Sequence, residues 1–356
     1  MVLTVLWDAF ETIILPRRVA RRFRLTRMFY RLTWIPWAAR GRRKRSGPKR
    51  ENFLSYYGPL SVLLLLATWS AATIFGFAVL QWSAGSELHT PSGSASFLDD
   101  LYMSGTNYFT LGLGDVTPRS HVARVLTVVE AGLGFGFLAL VVSYLPVLYA
   151  AFSRREVNIA LMDSRAGAPS TTAELLRRYR GNPDGLDSTL HDFERWTAEL
   201  LESHISYPVL AYFRSQHDNQ SWLGVITTIL DTCSLVMTGL QGQSPWQAQL
   251  TFAIARHTVV DIAQVLRTPP QPPVPDRLSR PDFDRLHEAL CECRPGIAAA
   301  DGYEKLAELR AVYEPYVNAL SRYLEMRLPR WVGDGQARHN WETSAWGRVE
   351  IPPEAM

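Results

Sequence analysis

Two glycines alternate with two leucines in the stretch Thr110–Asp115, which reads TLGLGD. Glycine adopts positive φ angles without a steric penalty, so this stretch can alternate between two backbone conformations and turn successive carbonyl oxygens the same way. Four such strands around an axis would stack rings of oxygen atoms that replace the water shell of an ion. Thr110 would add its carbonyl and a hydroxyl at the inner end of the stretch.

A short helix is predicted directly before this stretch. Ser96 and Asp99 form the S-x-x-D pattern of a helix N-cap. Phe97–Phe109 is long enough for about three helical turns, but it is too short and too polar to cross a membrane. The partly negative C-terminal end of such a helix would point toward the ion path.

Two long apolar segments flank the short helix and the turn. Residues 58–80 contain no charged side chain, and residues 122–151 contain a single acid, Glu130. Segments of this length cross a hydrocarbon core of about 30 Å, so we expect two transmembrane helices. Non-helical backbone at membrane depth is tolerated only where it is buried or lines a water-filled path. The arrangement therefore favours a pore over an ordinary turn.

The sequence YFTLGLGDVTP, at Tyr108–Pro118, resembles the T-x-G-[YFL]-G-D pore signature of potassium channels. The order of segments over residues 57–152 is similar to that of the two-transmembrane bacterial channels of the pore-loop superfamily. This resemblance implies a homotetramer around a central pore, with Asp115 bracing the selectivity filter from behind its outer mouth. It further implies that Gly114 completes the turn and that four residues bind potassium ions: Thr110, Leu111, Gly112 and Leu113.

Two positions depart from the usual signature. Leu113 stands where most members have Tyr or Phe, and Phe109 stands where many have Thr. An aromatic hydroxyl that usually tethers the filter is therefore missing, although leucine is similar to the second pore loop of some two-pore-domain potassium channels. These departures leave a nonselective monovalent cation channel as an alternative to a potassium-selective one.

The second apolar segment contains further candidate residues. Relatives often carry a Glu at the position of Glu130, packed behind the filter, and a carboxylate near the lipid headgroups is the alternative interpretation. Gly134 and Gly136 are candidate gating hinges because inner helices of the family bend at a glycine. Close packing of small residues between membrane helices is the alternative for both. Pro146 is expected to kink the lower part of the same helix.

Basic residues are concentrated before the first apolar segment. Residues 17–50 carry fourteen Arg or Lys and no Asp or Glu, whereas residues 51–118 carry no Arg or Lys. The positive-inside rule then predicts a multi-pass protein of the cell membrane with both termini in the cytoplasm. The basic segment is expected to bind anionic lipids rather than nucleic acid. Residues 1–15 are apolar but contain Asp8 and Glu11, so we expect an interfacial or buried helix there.

The chain after residue 155 is predicted to form an all-helical soluble domain, whose helices include Val209–Gln216 and Tyr303–Leu328. Strand alternation is scarce, and there is no Rossmann or cyclic-nucleotide-binding pattern, so no organic cofactor is predicted and the sequence identifies no regulatory ligand. Trp222–Leu240 is apolar enough for a third membrane span as the alternative, but Asp231 at its centre favours a core helix, in which a basic residue such as Arg256 would pair with it. The proline-rich segment Arg267–Pro281 is expected to be a stiff linker.

These observations predict an all-α fold with a basic N-terminal segment (1–50), a pore domain (51–155), a helical cytosolic regulatory domain (156–330) and a tail (331–356). The leading hypothesis is a potassium-selective homotetramer that conducts passively and is gated by its cytosolic domain. A nonconducting, membrane-anchored sensor or scaffold is the alternative from a different class. An enzyme is the least favoured class, because the sequence has no G-x-S-x-G, H-E-x-x-H or P-loop motif.

Overall fold

The structure, a computed structural model, describes residues 1–15, 24–44, 47–91, 93–217, 219–238, 245–291 and 299–333. These residues form helices, turns, loops and two strands of two residues each. The prediction of an all-α fold is therefore confirmed. The chain divides into two compact units: Met1–Arg40 with Tyr56–Ala150, and Gly41–Ser55 with the chain from Ala151 onward.

The described residues up to Ala166 form the first helices of the chain. They are α1 (Val2–Ile13), α2 (Leu25–Arg42), α3 (Pro48–Ser55), α4 (Tyr57–Ser83), α5 (Phe97–Tyr108) and α6 (His121–Ala166). Strands β1 (Leu88–His89) and β2 (Thr117–Pro118) pair in antiparallel fashion and join the two loops that flank α5.

Among the described residues, two helices are long and apolar enough to cross a membrane. One is the continuous stretch Pro48–Ser83, which includes α4, and the other is α6. Their positions agree with the two predicted spans, although α6 continues well beyond residue 151. Residues 153–166 contain neither Gly nor Pro, so nothing ends the helix until Gly167, whose φ of 75° is typical of a helix C-terminus. Pro146 lies inside α6.

The second unit is a helical domain. Its further elements are α7 (Thr172–Arg178), α8 (Pro183–Ser206), a 3-10 helix (Pro208–Tyr212), α9 (Trp222–Met237), α10 (Pro245–Leu266), α11 (Arg280–Cys291), α12 (Ala299–Ala311) and α13 (Glu314–Leu324). Helix α9 is buried along nearly its whole length and contacts α8 and α10. It is a core helix of this unit.

The pairing suggested for Asp231 was wrong. Arg256 is exposed on α10, and the carboxylate of Asp231 instead binds the guanidinium of Arg277 and accepts a 2.6 Å hydrogen bond from the hydroxyl of Tyr313. Burial raises the pKa of Asp231 to about 6, and Arg277 opposes that rise. Arg277 comes from the proline-rich segment, which packs into the core through the fully buried Leu278 and is not simply a linker between helices.

Two helix predictions in this unit were also wrong in detail. Val209–Gln216 was expected to be helical, but the structure has a short 3-10 helix that ends at Tyr212. Tyr303–Leu328 was expected to be one helix, but it is divided between α12 and α13. Pro315 sits in the first turn of α13, where it lacks an N–H and its ring would clash with the carbonyl four residues earlier in a continuous helix.

Candidate functional site

Helix α5 is held at its start by the predicted cap. The Asp99 carboxylate accepts hydrogen bonds from the backbone N–H of Ser96, at 2.8 Å, and from its hydroxyl, at 2.7 Å, and the reciprocal contact of a capping box is present. The next residue, Asp100, is fully buried and accepts a 2.6 Å hydrogen bond from the Ser86 hydroxyl. These contacts fix the start of α5 against the loop that follows α4.

The C-terminus of α5 leads directly into the stretch Thr110–Asp115. The N–H of Phe109 donates to the carbonyl of Gly105 at 3.1 Å, and the N–H of Leu111 donates to the carbonyl of Thr106 at 2.7 Å. The last turn of the helix thereby sets the direction in which the next residues leave it.

The backbone of this stretch alternates in conformation. Thr110, Gly112 and Gly114 have φ angles of 55°, 57° and 79°, whereas Leu111 and Leu113 are not in the positive-φ region. Such alternation is the conformation that turns successive carbonyls to one side. Left-handed backbone costs a non-glycine residue about 1–2 kcal/mol, so the two glycines avoid a penalty that Thr110 bears.

The leucine side chains of the stretch project away from the rest of the chain. Leu111 and Leu113 are 62% and 63% exposed. A Cβ added at Gly112 or Gly114 would meet no atom of the described chain within 4 Å. The described chain therefore leaves this stretch open on that side.

Asp115 is held by a residue that the sequence analysis did not identify. Its Oδ2 accepts a 2.9 Å hydrogen bond from the hydroxyl of Tyr102 on α5, and its Oδ1 accepts one from the N–H of Val116 at 3.0 Å. The outer end of the stretch is thus tied to α5. One aromatic residue in a short helix carries no sequence signal for such a contact, because only the fold brings residues 102 and 115 together.

The loop beyond Asp115 is also fixed. Leu88 pairs with Pro118 and His89 with Thr117, and the N–H of Arg119 donates to the carbonyl of Glu87 at 2.8 Å. These bonds connect the segment after the glycine-rich stretch to the loop after α4.

Glu130 lies against α5. It is fully buried, and its Oε1 accepts a hydrogen bond from the hydroxyl of Ser104. Its Oε2 accepts no hydrogen bond from the described part of the chain. The structure therefore brings Glu130 to the helix that carries the glycine-rich stretch, through a serine that the sequence analysis did not identify.

The two candidate hinge glycines differ in their surroundings. A Cβ on Gly134 would lie 2.0 Å from the carbonyl oxygen of Tyr108, whereas a Cβ on Gly136 would meet no described atom within 4 Å. Gly134 is the place where the backbone of α6 passes closest to the end of α5. This contact agrees with the alternative interpretation of Gly134, as a site of close helix packing instead of a hinge.

Comparisons with known proteins cover this region. A family model described as an ion channel matches residues 63–149. Protein LctB of Geobacillus stearothermophilus is 34% identical over 94 residues, which cover 24% of this chain and 69% of that protein. The uncharacterized membrane protein YdjJ of Bacillus subtilis (strain 168) is 24% identical over 257 residues, which cover 71% of this chain and 74% of that protein. No solved structure matches the chain.

Proposed function

Since the chain belongs to the ion-channel family with two membrane-spanning helices and a pore loop between them, we propose that it is a potassium-selective channel. In this proposal four copies surround one pore, and Thr110–Asp115 is the selectivity filter. The carbonyls of Thr110, Leu111, Gly112 and Leu113 would bind potassium ions as the transported species. The observation that carries the proposal is the alternation of positive φ at Thr110, Gly112 and Gly114.

Selectivity requires that the filter keep its shape while ions pass. Leu113 cannot supply the aromatic hydroxyl that most relatives have. The hydrogen bond from Tyr102 to Asp115 supports the proposal, because it ties the outer end of the filter to α5 from another position.

We further propose that the inner ends of both spans and the whole second unit face the cytoplasm, where that unit gates the pore. The distribution of basic residues supports this orientation. The basic segment 17–50 would contact anionic lipids, although Arg42 and Arg50 already form ion pairs with Glu325.

Potassium flux and bi-ionic reversal potentials from purified protein in liposomes test the proposal. The expected result is a passive potassium current with a reversal potential that follows potassium rather than sodium. Equal permeability to both ions would instead establish the nonselective cation channel that the departure at Leu113 suggests. Absence of flux across a range of pH and lipid composition would favour the nonconducting sensor or scaffold.

A glycine substitution with a matched control tests the filter itself. Gly112→Ala places a Cβ on a residue with φ of 57° and is expected to abolish flux. Gly85→Ala makes the same change at φ of 100° in the loop after α4, where the backbone strain is at least as great but no ion should pass. Conduction that survives Gly112→Ala, or that is lost equally in both variants, would contradict the assignment of the filter. Native mass spectrometry of the same preparations would count the subunits.

A further inference from the structure

Helix α1 has its polarity reversed relative to the surface helix of a soluble protein. Apart from Thr4, its exposed residues are apolar: Leu3 is 81%, Trp7 54% and Phe10 38% exposed. Its two acids, Asp8 and Glu11, are buried at 3% and 7%. In water an amphipathic helix turns its charged face outward, whereas ionisable residues inside a membrane face the protein interior.

Both acids are bound by neighbouring polar groups. Oδ2 of Asp8 accepts hydrogen bonds from the N–H and the hydroxyl of Thr26, at 3.0 and 2.6 Å, and from the indole N–H of Trp69 at 3.2 Å. Oε1 of Glu11 accepts a 2.7 Å hydrogen bond from the indole of Trp7, and Glu11 also forms an ion pair with Arg24. The outer face of α1 therefore presents no carboxylate that would need water.

Contacts with α4 fix the depth and direction of α1. Asp8 binds Trp69, which lies at the midpoint of the charge-free residues 58–80. Val2 packs against Gly76, where a Cβ would come within 2.5 Å of the Val2 side chain. Gly76 is seven residues beyond Trp69, or about 10 Å along the helix axis. Hence α1 runs antiparallel to α4, beside the part of α4 that must lie in the hydrocarbon core.

We propose that α1 is embedded in the hydrocarbon core of the bilayer beside α4, and that lipid acyl chains cover its exposed apolar face. Helix α4 also exposes apolar side chains, among them Leu63 and Phe75. The proposal requires that α4 crosses the membrane but does not require conduction. It would replace the interfacial position that the sequence left open for residues 1–15, and it would place the N-terminus inside the bilayer instead of in the cytoplasm, where the positive-inside rule predicts it.

Site-directed spin labelling of the full chain in liposomes tests the proposal. A nitroxide at Leu3→Cys, in a background without the native cysteines, is compared by power saturation with labels at Leu63→Cys on α4 and Arg327→Cys in the second unit. Dissolved oxygen concentrates in hydrocarbon, and a nickel chelate stays in water. We expect the Leu3 label to behave like the Leu63 label. Its accessibility to oxygen should be high, and its accessibility to the nickel chelate should fall to background.

Two results would overturn the proposal. Nickel accessibility at Leu3 equal to that at Arg327 would place α1 in water. Protection from both reagents, with spin–spin broadening between copies, would show that a second copy of the chain covers this face. A label at Phe10→Cys repeats the measurement if the Leu3 variant does not fold. Because none of these readings depends on ion flux, failure of this proposal is distinguishable from failure of the channel assignment.

Discussion

The hydroxyl of Tyr102 is the side-chain group that holds the Asp115 carboxylate at the outer end of the proposed filter. Without this hydroxyl, Asp115 would keep its hydrogen bond to the N–H of Val116, and a smaller fraction of filters would be braced. We therefore expect Tyr102→Phe to reduce the potassium-to-sodium permeability ratio by up to about tenfold, measured by bi-ionic reversal potentials.

Tyr56→Phe is the matched control, because Tyr56 is 63% exposed and lies before α4, away from the filter. A permeability ratio that is the same in Tyr102→Phe and the wild type would show that the Tyr102 hydroxyl does not support selectivity.

His204 in α8 is a buried neutral imidazole. It is 1% exposed, it donates from Nδ1 to the carbonyl of Leu200 at 2.9 Å, and its ring lies 5.1 Å from that of Trp222. Burial, together with the positive charge of Arg155, lowers the pKa of His204 to about 3. His204 therefore stays uncharged in the folded protein throughout the physiological pH range.

This pKa shift predicts how stability depends on pH. The unfolded chain takes up a proton at His204 near pH 6.5 and the folded chain does not, so the contribution of His204 is lost as pH falls below 6.5. The loss between pH 6.5 and 5 is about 2 kcal/mol. In His204→Asn, whose amide can still donate to Leu200, urea unfolding of the reconstituted protein should lack this part of the pH dependence.

The pKa of Asp231 is shifted in the opposite direction to that of His204. Because it is raised to about 6 in the folded protein, Asp231 makes the protein more stable as pH falls through about 6. The comparison of His204→Asn with the wild type must therefore keep Asp231 unchanged in both proteins. If the free energy of unfolding changes by the same amount between pH 7 and 5 in the two proteins, the assignment of a neutral His204 is contradicted.

Single residues could be predicted from the sequence only where a local pattern defined them. The capping pair Ser96 and Asp99 is separated by three residues, and a helix N-terminus alone determines their contact. Tyr102, Ser104 and Arg277 act across the fold, and no local spacing relates them to Asp115, Glu130 or Asp231.

The crossing of α5 and α6 depends on a glycine. Since a Cβ on Gly134 would lie 2.0 Å from the Tyr108 carbonyl, Gly134→Ala must push apart two backbones that cannot yield locally. We expect Gly134→Ala to reduce the yield of assembled protein and its thermal stability, by at least the 1–3 kcal/mol that is typical of overpacking. The measurements are size-exclusion chromatography and thermal unfolding.

Gly136→Ala is the matched control, with the same change two residues along the same helix and no described atom near its Cβ. It should assemble normally, so any effect on flux would then report on helix bending rather than on packing. Equal stability of the two variants would show that α5 and α6 do not approach at Gly134.

Elements were predictable to different degrees for physical reasons. The two spans lack charges over more than twenty residues, which is typical of a membrane helix, and α4 begins at Tyr57 and ends at Ser83, close to the predicted residues 58–80. The helices of the second unit have no such uniform signal, and their ends depend on tertiary contacts. Thus Pro315 interrupts the predicted helix Tyr303–Leu328. The segment after α10, which was expected to be a linker, packs into the core through Leu278.

At the scale of the whole molecule, residues 41–55 belong to the second unit, although they lie immediately before α4. The Glu325 carboxylate binds Arg42 at 2.7 Å and also Arg50, and so joins α2 to α3. Arg214 pairs with Glu51 and donates to the carbonyls of Leu324 and Glu325. The chain that enters the first span is therefore held by the second unit.

Glu325→Gln should loosen this attachment. Loss of two charge-assisted contacts, each about twice as strong as a neutral hydrogen bond, should accelerate amide hydrogen exchange in residues 47–55 by about tenfold or more. Exchange in α9 should not change. Glu308→Gln, at an exposed position on α12, is the control, and equal exchange in both variants would show that Glu325 does not hold the segment.

Pro146 has no amide hydrogen, so the carbonyl oxygen of Val142, one turn earlier in α6, cannot receive the usual intrahelical bond. Lipid tails offer that oxygen no donor, and leaving it bare there costs several kcal/mol. The rotation of α6 about its long axis is thereby restricted. The side that bears this oxygen must turn toward water or toward a donor on another helix, and the opposite side can turn toward lipid.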